Sequence, residues 1–396
     1  MDKKQVLVYI VTLIFSALFI FWGYNYNTRE YKFLSGEQAD SVYSGKITEI
    51  VGIEEIEDND ILQGSIITFK CLLNDRDMKG QTVVATQTLD DYDQMPQPQV
   101  NEGDKVLLYK YAEDNWQFSE YIRLDPLIVL CGIFFVMVVI FGGKKGINTL
   151  VSLIVTCLAI FAVFVPAVLS GYNIYFWSIL ICAFVSIVSM LIINGLHKKT
   201  FVAVSGSFCG IITSALLTLL MNKILKMTGM LDDTSLYLSL LNPDRPIDLN
   251  AIIFATIVIG ALGAVMDISM DIATSLYEMY SKSKLSPKQL VKSGFEIGKD
   301  MMGTMTTTLI LAYIGSSLGV TVLLVAYNAS LTELLNKEMV IKEILQSLVG
   351  CISIMISLPF TTAVAALVYR GKYDWLDELD ENEIGDFDYN LNEDKE

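Results

Sequence analysis

The chain has 396 residues, of which 53% are hydrophobic and 18% are charged, and its formal net charge at pH 7 is −16. This acidic balance argues against nucleic-acid binding, because nucleic-acid interfaces are basic. The one histidine, His197, and the six dispersed cysteines form no Cys/His cluster, so no metal site and no cofactor is expected.

Long apolar runs recur along the chain, and each is long enough to cross a hydrocarbon layer about 30 Å thick. They predict a polytopic α-helical membrane protein with about eight transmembrane helices. The first run follows Met-Asp-Lys-Lys and lacks a small-residue cleavage site, which predicts an uncleaved signal anchor. The predicted spans are 5–23, 126–142, 148–169, 173–194, 201–221, 250–274, 302–326 and 346–369.

Basic residues concentrate in alternate loops between these runs, and the loops richest in Lys and Arg are the cytoplasmic ones. The pattern predicts a multi-pass plasma-membrane protein with both termini in the cytoplasm. The loops assigned to the cytoplasm contain Lys144, Lys145, Lys198, Lys199, Lys282, Lys284, Lys288, Lys292, Lys299, Arg370 and Lys372.

Charge and apolar content divide the chain into four predicted segments. Residues 373–396 hold eleven acids and one lysine, a composition typical of solvated, disordered tails. The segments are a cytoplasmic N-terminus with the signal-anchor helix (1–23), a mostly β extracytoplasmic domain (24–124), a seven-helix membrane domain (125–370) and an acidic disordered cytoplasmic tail (371–396).

The extracytoplasmic segment changes from helical to strand-like composition. YSGKITEIVGI, SIITFKCLL, QTVVATQTL and KVLLYKY alternate in part between apolar and polar residues, with turns at NDRDMKG and VNEGDK. About five short strands in this length predict one small β-barrel of the OB-like type. Its acidic surface favours a structural or protein-docking role.

Two loops have helical spacing. Ser286, Pro287 and Gln289 form an N-terminal capping pattern that predicts a cytoplasmic helix leading into the seventh span. Leu and Ile recur through NASLTELLNKEMVIKEILQSL, which predicts an amphipathic helix on the outer surface.

The stretch MDISMDIATS, residues 266–275, places two acids in an otherwise apolar helix. Asp267 and Asp271 are one helical turn apart and therefore share a face. A charge near the bilayer centre costs at least about 2.5–3.5 kcal/mol, so an acid at this depth is a functional-site hypothesis. The same predicted face carries Gly260, Ala264, Asp267, Asp271, Thr274 and Glu278.

The following span begins GKDMMGTMTTTLILAYIGSS and runs in the opposite direction. Asp300, Thr304, Thr307 and Thr308 are therefore expected at the depth of the two acids, where they would line a path for a proton or cation. Five methionines lie nearby, and their thioethers suit Cu(I), although packing is the favoured interpretation. They are Met266, Met270, Met301, Met302 and Met305.

Other interpretations of the acids stay open. Asp267 would have a packing role if it accepted hydrogen bonds from the threonines, Asp271 would snorkel to the interface, and Asp300 would mark the helix start. A shared proton between Asp267 and Asp300 would suit an intramembrane aspartyl hydrolase. No GxGD-like context supports that chemistry, so no enzyme is expected.

Small residues and one proline mark predicted helix contacts or hinges. Gly206 and Gly210 in GSFCGIITS are four residues apart, and Gly260 and Gly263 precede the first acid. Such spacing favours close helix packing in membranes. Pro359 in LPFTTAVAAL leaves a backbone carbonyl without its donor in mid-helix.

Three motifs resemble the YibE/YibF-like family of bacterial multispanning membrane proteins: GALGAVMDISMDIATSLYEM, GKDMMGTMTTTLILAYIGSS and SLPFTTAVAAL. The resemblance covers the chain from about the second span to residue 370. It implies a permease-like architecture with no assigned substrate. Asp271 and Thr307 depart from the family pattern, which usually has a small hydroxyl or apolar residue and an asparagine there. The residues that match the family pattern are Gly263, Asp267, Asp300, Gly303, Thr304, Thr306 and Thr308.

Together these features predict a transporter or permease of an unknown small solute or ion in the bacterial plasma membrane. Asp267 is the predicted proton or cation site, and Asp300 lies at its inner mouth. The alternative is a non-transporting scaffold or regulatory protein that recruits partners through the extracytoplasmic domain. A homo-oligomer or an extracytoplasmic protein partner fits either hypothesis. The absence of a GxxxxGK[ST] loop argues against ATP-driven pumping by this chain.

Overall fold

The computed structural model describes residues 3–29, 42–58, 62–75, 78–90, 98–112, 115–241, 245–283, 285–327 and 330–369. These residues belong to two compact units: a helical unit within residues 1–31 and 139–396, and a barrel unit within residues 32–138. The predicted acidic tail, 371–396, lies outside the described residues.

The barrel unit contains the strands β1 (Val42–Asp58), β2 (Leu62–Leu73), β3 (Thr82–Asp90), β4 (Lys105–Ala112) and β5 (Asn115–Tyr121). They close in the order β1-β2-β3-β5-β4, which confirms the predicted small β-barrel. Only the β3–β5 pair is parallel among these strand pairs. Along β2, Ile67, Phe69, Cys71 and Leu73 are fully buried, because alternate residues of a strand face one side.

The described helices are α1 (Lys3–Asn27), α2 (Leu124–Leu158), α3 (Val165–Leu169), α4 (Ile174–Asn194), α5 (Lys198–Ile224), α6 (Asp233–Leu240), α7 (Leu249–Ser283), α8 (Pro287–Tyr327), α9 (Leu331–Asn336) and α10 (Glu338–Val368), and a π-helical segment (Ala159–Phe164) joins α2 to α3.

Six described helices are long and apolar enough to cross a membrane, and the bent helix α8 is a seventh if it counts as one span. The predicted number of eight is therefore not confirmed. Residues 126–142 and 148–169, predicted as two spans, form two helical segments of the long run Leu124–Leu169. Gly143 interrupts that run with a φ of 53°, a left-handed conformation that glycine adopts readily. Several apolar helices of this length indicate a membrane protein.

Helix α1 lies antiparallel to α4 in the helical unit. Near its start, Gln5 Nε2 is 2.9 Å from His197 Nε2, in the loop that follows α4. At its end, Asn27 Nδ2 donates to the Val163 carbonyl at 2.9 Å, and Ser170 Oγ donates to the Asn27 carbonyl at 2.6 Å. Both of these partners precede α4. Each end of α1 is therefore held by polar contacts to a different end of α4.

Helices α5, α7 and α10 pack closely through small residues. A Cβ atom at Gly206 on α5 would overlap Thr361 on α10, and one at Gly210 would overlap α7. Ser269 Oγ on α7 lies 2.8 Å from Ser357 Oγ on α10, and Ser357 Oγ donates to the Gly206 carbonyl at 3.1 Å. These contacts make the three helices the packed core that positions the candidate site.

Helix α8 starts where the capping pattern predicts. Ser286 donates its backbone N–H and its hydroxyl to Gln289 Oε1, each at 2.9 Å, and the helix begins at Pro287. The helix then bends by 62° between the segments Pro287–Ser316 and Leu318–Tyr327. A Gly/Ser-rich sequence, GSSLG at 315–319, accounts for the bend, because such pairs are frequent sites of sharp kinks.

The outer amphipathic helix predicted across NASLTELLNKEMVIKEILQSL is divided differently in the structure. Only the short helix α9 precedes Lys337, and the remainder is the first part of α10. Leu345 and Gln346 are already buried there. The second part of the repeat therefore packs within the helical unit, together with Ile253 and Ile257 of α7, whereas Leu331 and Leu335 of α9 are exposed.

Candidate functional site

The two acids of MDISMDIATS lie on the unpacked side of α7. Asp267 and Asp271 are exposed, whereas the intervening Ile268 and Ser269 are buried against the α5–α7–α10 core. Toward the middle of the helix the same side continues through Gly263, where a Cβ atom would meet nothing within 4 Å. We call Gly260, Gly263, Ala264, Asp267 and Asp271 the acidic stripe.

The carboxylates of the stripe are unbonded. Within the described residues, neither Asp267 nor Asp271 forms a hydrogen bond or an ion pair. A carboxylate has about four acceptor positions, so all of them stay available to water, a proton or a cation. The two acids are also one helical turn apart, where like charges repel each other.

Helix α8 presents a similar unpacked face. Asp300, Gly303, Thr304, Thr307 and Thr308 are all exposed, and we call them the hydroxyl face. The three threonine hydroxyls donate to backbone carbonyls of their own helix, at 2.9 Å, 2.9 Å and 3.0 Å. Their oxygens are therefore left as acceptors, and they do not donate to the acids of α7.

Two contacts set the register between the antiparallel helices α7 and α8. A Cβ atom at Gly260 would lie 2.9 Å from the Tyr313 hydroxyl, and one at Gly294 would lie 3.1 Å from Leu276 Cδ1. Both helices rise by about 1.5 Å per residue. Counting between the two contacts places Thr304 level with Asp267 and Asp300 level with Asp271. The predicted common depth of these groups agrees with this register, although no described hydrogen bond joins them.

A buried polar cluster lies at the far end of the acidic stripe. The Tyr313 hydroxyl of α8 and the Gln346 amide of α10 both approach Gly260, at 2.9 Å and 3.1 Å from a Cβ atom built there. Gln346 is only 6% exposed. The Tyr313 hydroxyl and Gln346 Oε1 are buried and have no hydrogen-bond partner among the described residues. Each can therefore form a hydrogen bond with a ligand or a water.

Sequence reasoning missed this cluster and the Ser269–Ser357 pair. Gln346 stands alone as an amide in an apolar helix, and Ser353, Ser357 and Thr361 recur every four residues along α10. Both signals are visible in the sequence. Their partners on α7 and α8 are distant in the chain, however, and no local pattern identifies them.

The remaining candidate residues have packing environments. Pro359 lies inside α10, which continues through it. The methionines considered for Cu(I), among them Met266, Met270 and Met301, pack against the apolar core cluster, and Asn194 Nδ2 donates to Met270 Sδ at 3.6 Å. No group of three or more His, Cys, Asp or Glu residues that could hold a metal ion occurs in the described parts of the chain.

Fold and site together define a class: a mostly helical protein with several long apolar helices, a small separate barrel and unbonded acids on one apolar helix. Within that class the chain belongs to the YibE/F-like family, whose family model matches residues 130–371. This range contains α7, α8 and α10 and confirms the resemblance of their motifs. Comparisons with curated proteins and with solved structures find no match.

Proposed function

We propose that this protein is a bacterial plasma-membrane transporter or permease for a small solute or ion, coupled to a proton or cation through Asp267. The acidic stripe of α7 and the hydroxyl face of α8 form the two walls of its polar path. Asp300 and Asp271 stand at the inner mouth, and Asp267 is one turn deeper. The observation that carries the proposal is that Asp267 and Asp271 have no bonding partner in the described structure.

The energetics favour a solvated path over a packing role. An acid that only stabilised helix contacts would be hydrogen-bonded, because a buried polar group without a partner costs about 1–3 kcal/mol. Placing an unbonded, charged acid in the hydrocarbon of a bilayer would cost about 2.5–3.5 kcal/mol or more. Water or an ion at the stripe removes both penalties, and the acceptor-only threonine oxygens of α8 suit a cation or a hydrated proton.

The proposed topology places both termini in the cytoplasm and residues 24–124 outside. The contacts of α1 support this arrangement, because its start adjoins the loop after α4 and its end adjoins the segment before α4. The start of α5, at the same end of the helices as Gln5, carries Lys198 and Lys199, in agreement with the charge rule. Eight crossings result if the long run Leu124–Leu169 folds back at Gly143.

The test is proton and ion flux in liposomes. The purified protein is reconstituted with a trapped pH dye, and a panel of cations and organic anions is added under a proton gradient. We expect wild-type protein to couple at least one solute to proton movement and Asp267→Asn to lose that coupling. Asp233→Asn changes an exposed acid on α6 away from the stripe and is the matched control. Absence of flux for correctly inserted wild-type protein across the panel would contradict the proposal.

The barrel favours a second candidate, a membrane scaffold that recruits a partner outside the cell. Its five strands form a closed barrel with a core of its own, including the buried Ile47, Phe69 and Trp116. In this case deletion of residues 36–122 removes function in cells while Asp267→Asn does not. The reverse result, in which Asp267→Asn alone abolishes function, supports the transporter.

A further inference from the structure

A cavity lies between α8 and α10. Its volume is about 450 Å³, within the range of small-molecule sites. The cavity follows the 62° bend of α8, since Ser316 and Ser317 at the bend belong to its lining. Most of the lining is aliphatic, contributed by Ile310, Ile314, Val320, Leu324, Met339, Val340, Ile344 and Leu348.

One carboxylate faces this apolar space. Glu343 is the only charged side chain among the described residues of the lining, and it is partly buried. Its Oε1 atom accepts from Lys342 Nζ at 2.7 Å, whereas no described residue donates to Oε2. Lys342 is not part of the lining. Of this ion pair, therefore, the acid Glu343 lines the cavity and the base Lys342 does not.

Three of the four serine and threonine hydroxyls among the described lining residues favour a cation over an anion. Ser316 and Ser317 donate to the Tyr313 carbonyl, and Thr321 donates to the Ser317 carbonyl, each at 2.9 Å. These hydroxyl protons are already used, so the oxygens can only accept. Tyr313 of the lining adds an aromatic ring, and such rings attract cations through their faces.

We infer that this cavity, which we call the α8–α10 cavity, binds a lipophilic organic cation, whose apolar body fills the aliphatic part and whose charge is held by Glu343. Neither Asp267 nor Asp271 lines the cavity, and among the described residues its contact with the stripe is limited to Tyr313 beside Gly260, so the inference does not depend on Asp267 or on transport. Complementarity of charge selects the occupant: an acyl chain would leave Glu343 and the acceptor oxygens unused, and a lipophilic anion would meet the carboxylate.

The experiment uses two probes of matched shape and opposite charge, tetraphenylphosphonium and tetraphenylborate. Equilibrium binding is measured on the full chain in lipid nanodiscs, with empty nanodiscs as background. Wild-type protein should bind tetraphenylphosphonium and not tetraphenylborate. Glu343→Gln should weaken cation binding by about tenfold or more, because a charge-assisted contact is lost. Glu333→Gln changes an exposed acid on the neighbouring helix α9 and should leave binding unchanged.

Two further variants keep the inference falsifiable if Glu343→Gln folds poorly. Lys342→Gln removes the competing ammonium and should tighten cation binding. Val320→Trp fills the cavity and should abolish it. Equal binding of both probes would show an unselective apolar site and overturn the inference. Unchanged cation binding in Glu343→Gln, or in Val320→Trp, would also overturn it, whether or not Asp267→Asn affects flux.

Discussion

Helix α7 has two faces that treat polar side chains differently. On the face toward α5 and α10, Ser269 is fully buried, donates to the Val265 carbonyl at 2.7 Å and contacts Ser357 at 2.8 Å. On the opposite face, Asp267 lies two residues earlier and has no bonding partner in the described structure. On the same helix, therefore, the buried serine is hydrogen-bonded and the acid has no bonding partner among the described residues.

The difference separates stability from function. A polar group that holds helices together is paired, because an unpaired one would oppose folding. The acids of the stripe do not meet this requirement, which is in keeping with the proposed binding of a proton or cation there. The glycines follow the same division: Gly206 is in tight contact across the core, and Gly263 faces open space.

The largest expected effect tests the glycines of the two faces. Gly206→Leu should destabilise the protein by about 3 kcal/mol or more, because the new side chain must displace Thr361 in a close-packed core. Gly263→Leu should change stability by about 0.5 kcal/mol or less, since its site is unpacked. Thermal unfolding in detergent measures both. Equal losses for the two variants would contradict the assignment of the faces.

A second prediction concerns a buried thiol in the barrel, which tests separately how strongly burial changes the ionisation of a side chain. Burial raises the pKa of the Cys71 thiol from its ordinary value of 9.0 to about 11. The folded barrel therefore keeps this proton more tightly than the unfolded chain does. Its contribution to stability is complete below pH 9 and is lost as the pH rises through 11, by at most about 3 kcal/mol.

Thermal unfolding of wild type and Cys71→Ala at pH 8 and pH 10 measures this contribution. The wild-type protein should lose more stability between the two pH values than the variant, because other ionisable groups are common to both. An equal loss in the two proteins would show that the thiol is not protected by burial.

A smaller effect is expected from the paired serine. Ser269→Ala removes the contact with Ser357 and should cost about 1 kcal/mol, the net value of a typical hydrogen bond. Ser281→Ala is the matched control, because Ser281 is exposed on the same helix and bonds only to its own backbone. Urea titration of both variants compares them. If Ser269→Ala loses no more unfolding free energy than Ser281→Ala, the contact between Ser269 and Ser357 does not stabilise the fold.

Local patterns predicted much of this fold. Alternating residues and turn sequences were sufficient for the barrel, and Ser286, Pro287 and Gln289 were sufficient for the start of α8. The number of spans was harder to predict, because GGKKG reads as a loop between two spans and the structure has two helical segments that meet there at the non-helical Gly143. Such a break suits either a kink within one span or a turn between two spans. Glycine tolerates both outcomes, so its presence does not decide between them.

The site was predictable only as a set of residues on helix faces. Spacing placed Asp267 and Asp271 together, and the opposite directions of α7 and α8 placed Thr304 at a similar depth. Spacing cannot show whether an acid is bonded, and it cannot find Tyr313 and Gln346 beside Gly260. Those contacts depend on how distant helices pack. The α8–α10 cavity likewise depends on a bend whose size no sequence pattern gives.

The central claim is that Asp267 serves function and not stability, and one preparation tests it directly. Asp267→Asn is reconstituted in liposomes beside wild type, and proton-coupled flux and the midpoint of thermal unfolding are measured on the same samples. The account predicts that flux falls to background while the midpoint stays within about 2 °C of wild type, as for a substitution of an exposed side chain. A lowered midpoint with unchanged flux per folded molecule would contradict it and would make Asp267 a structural residue.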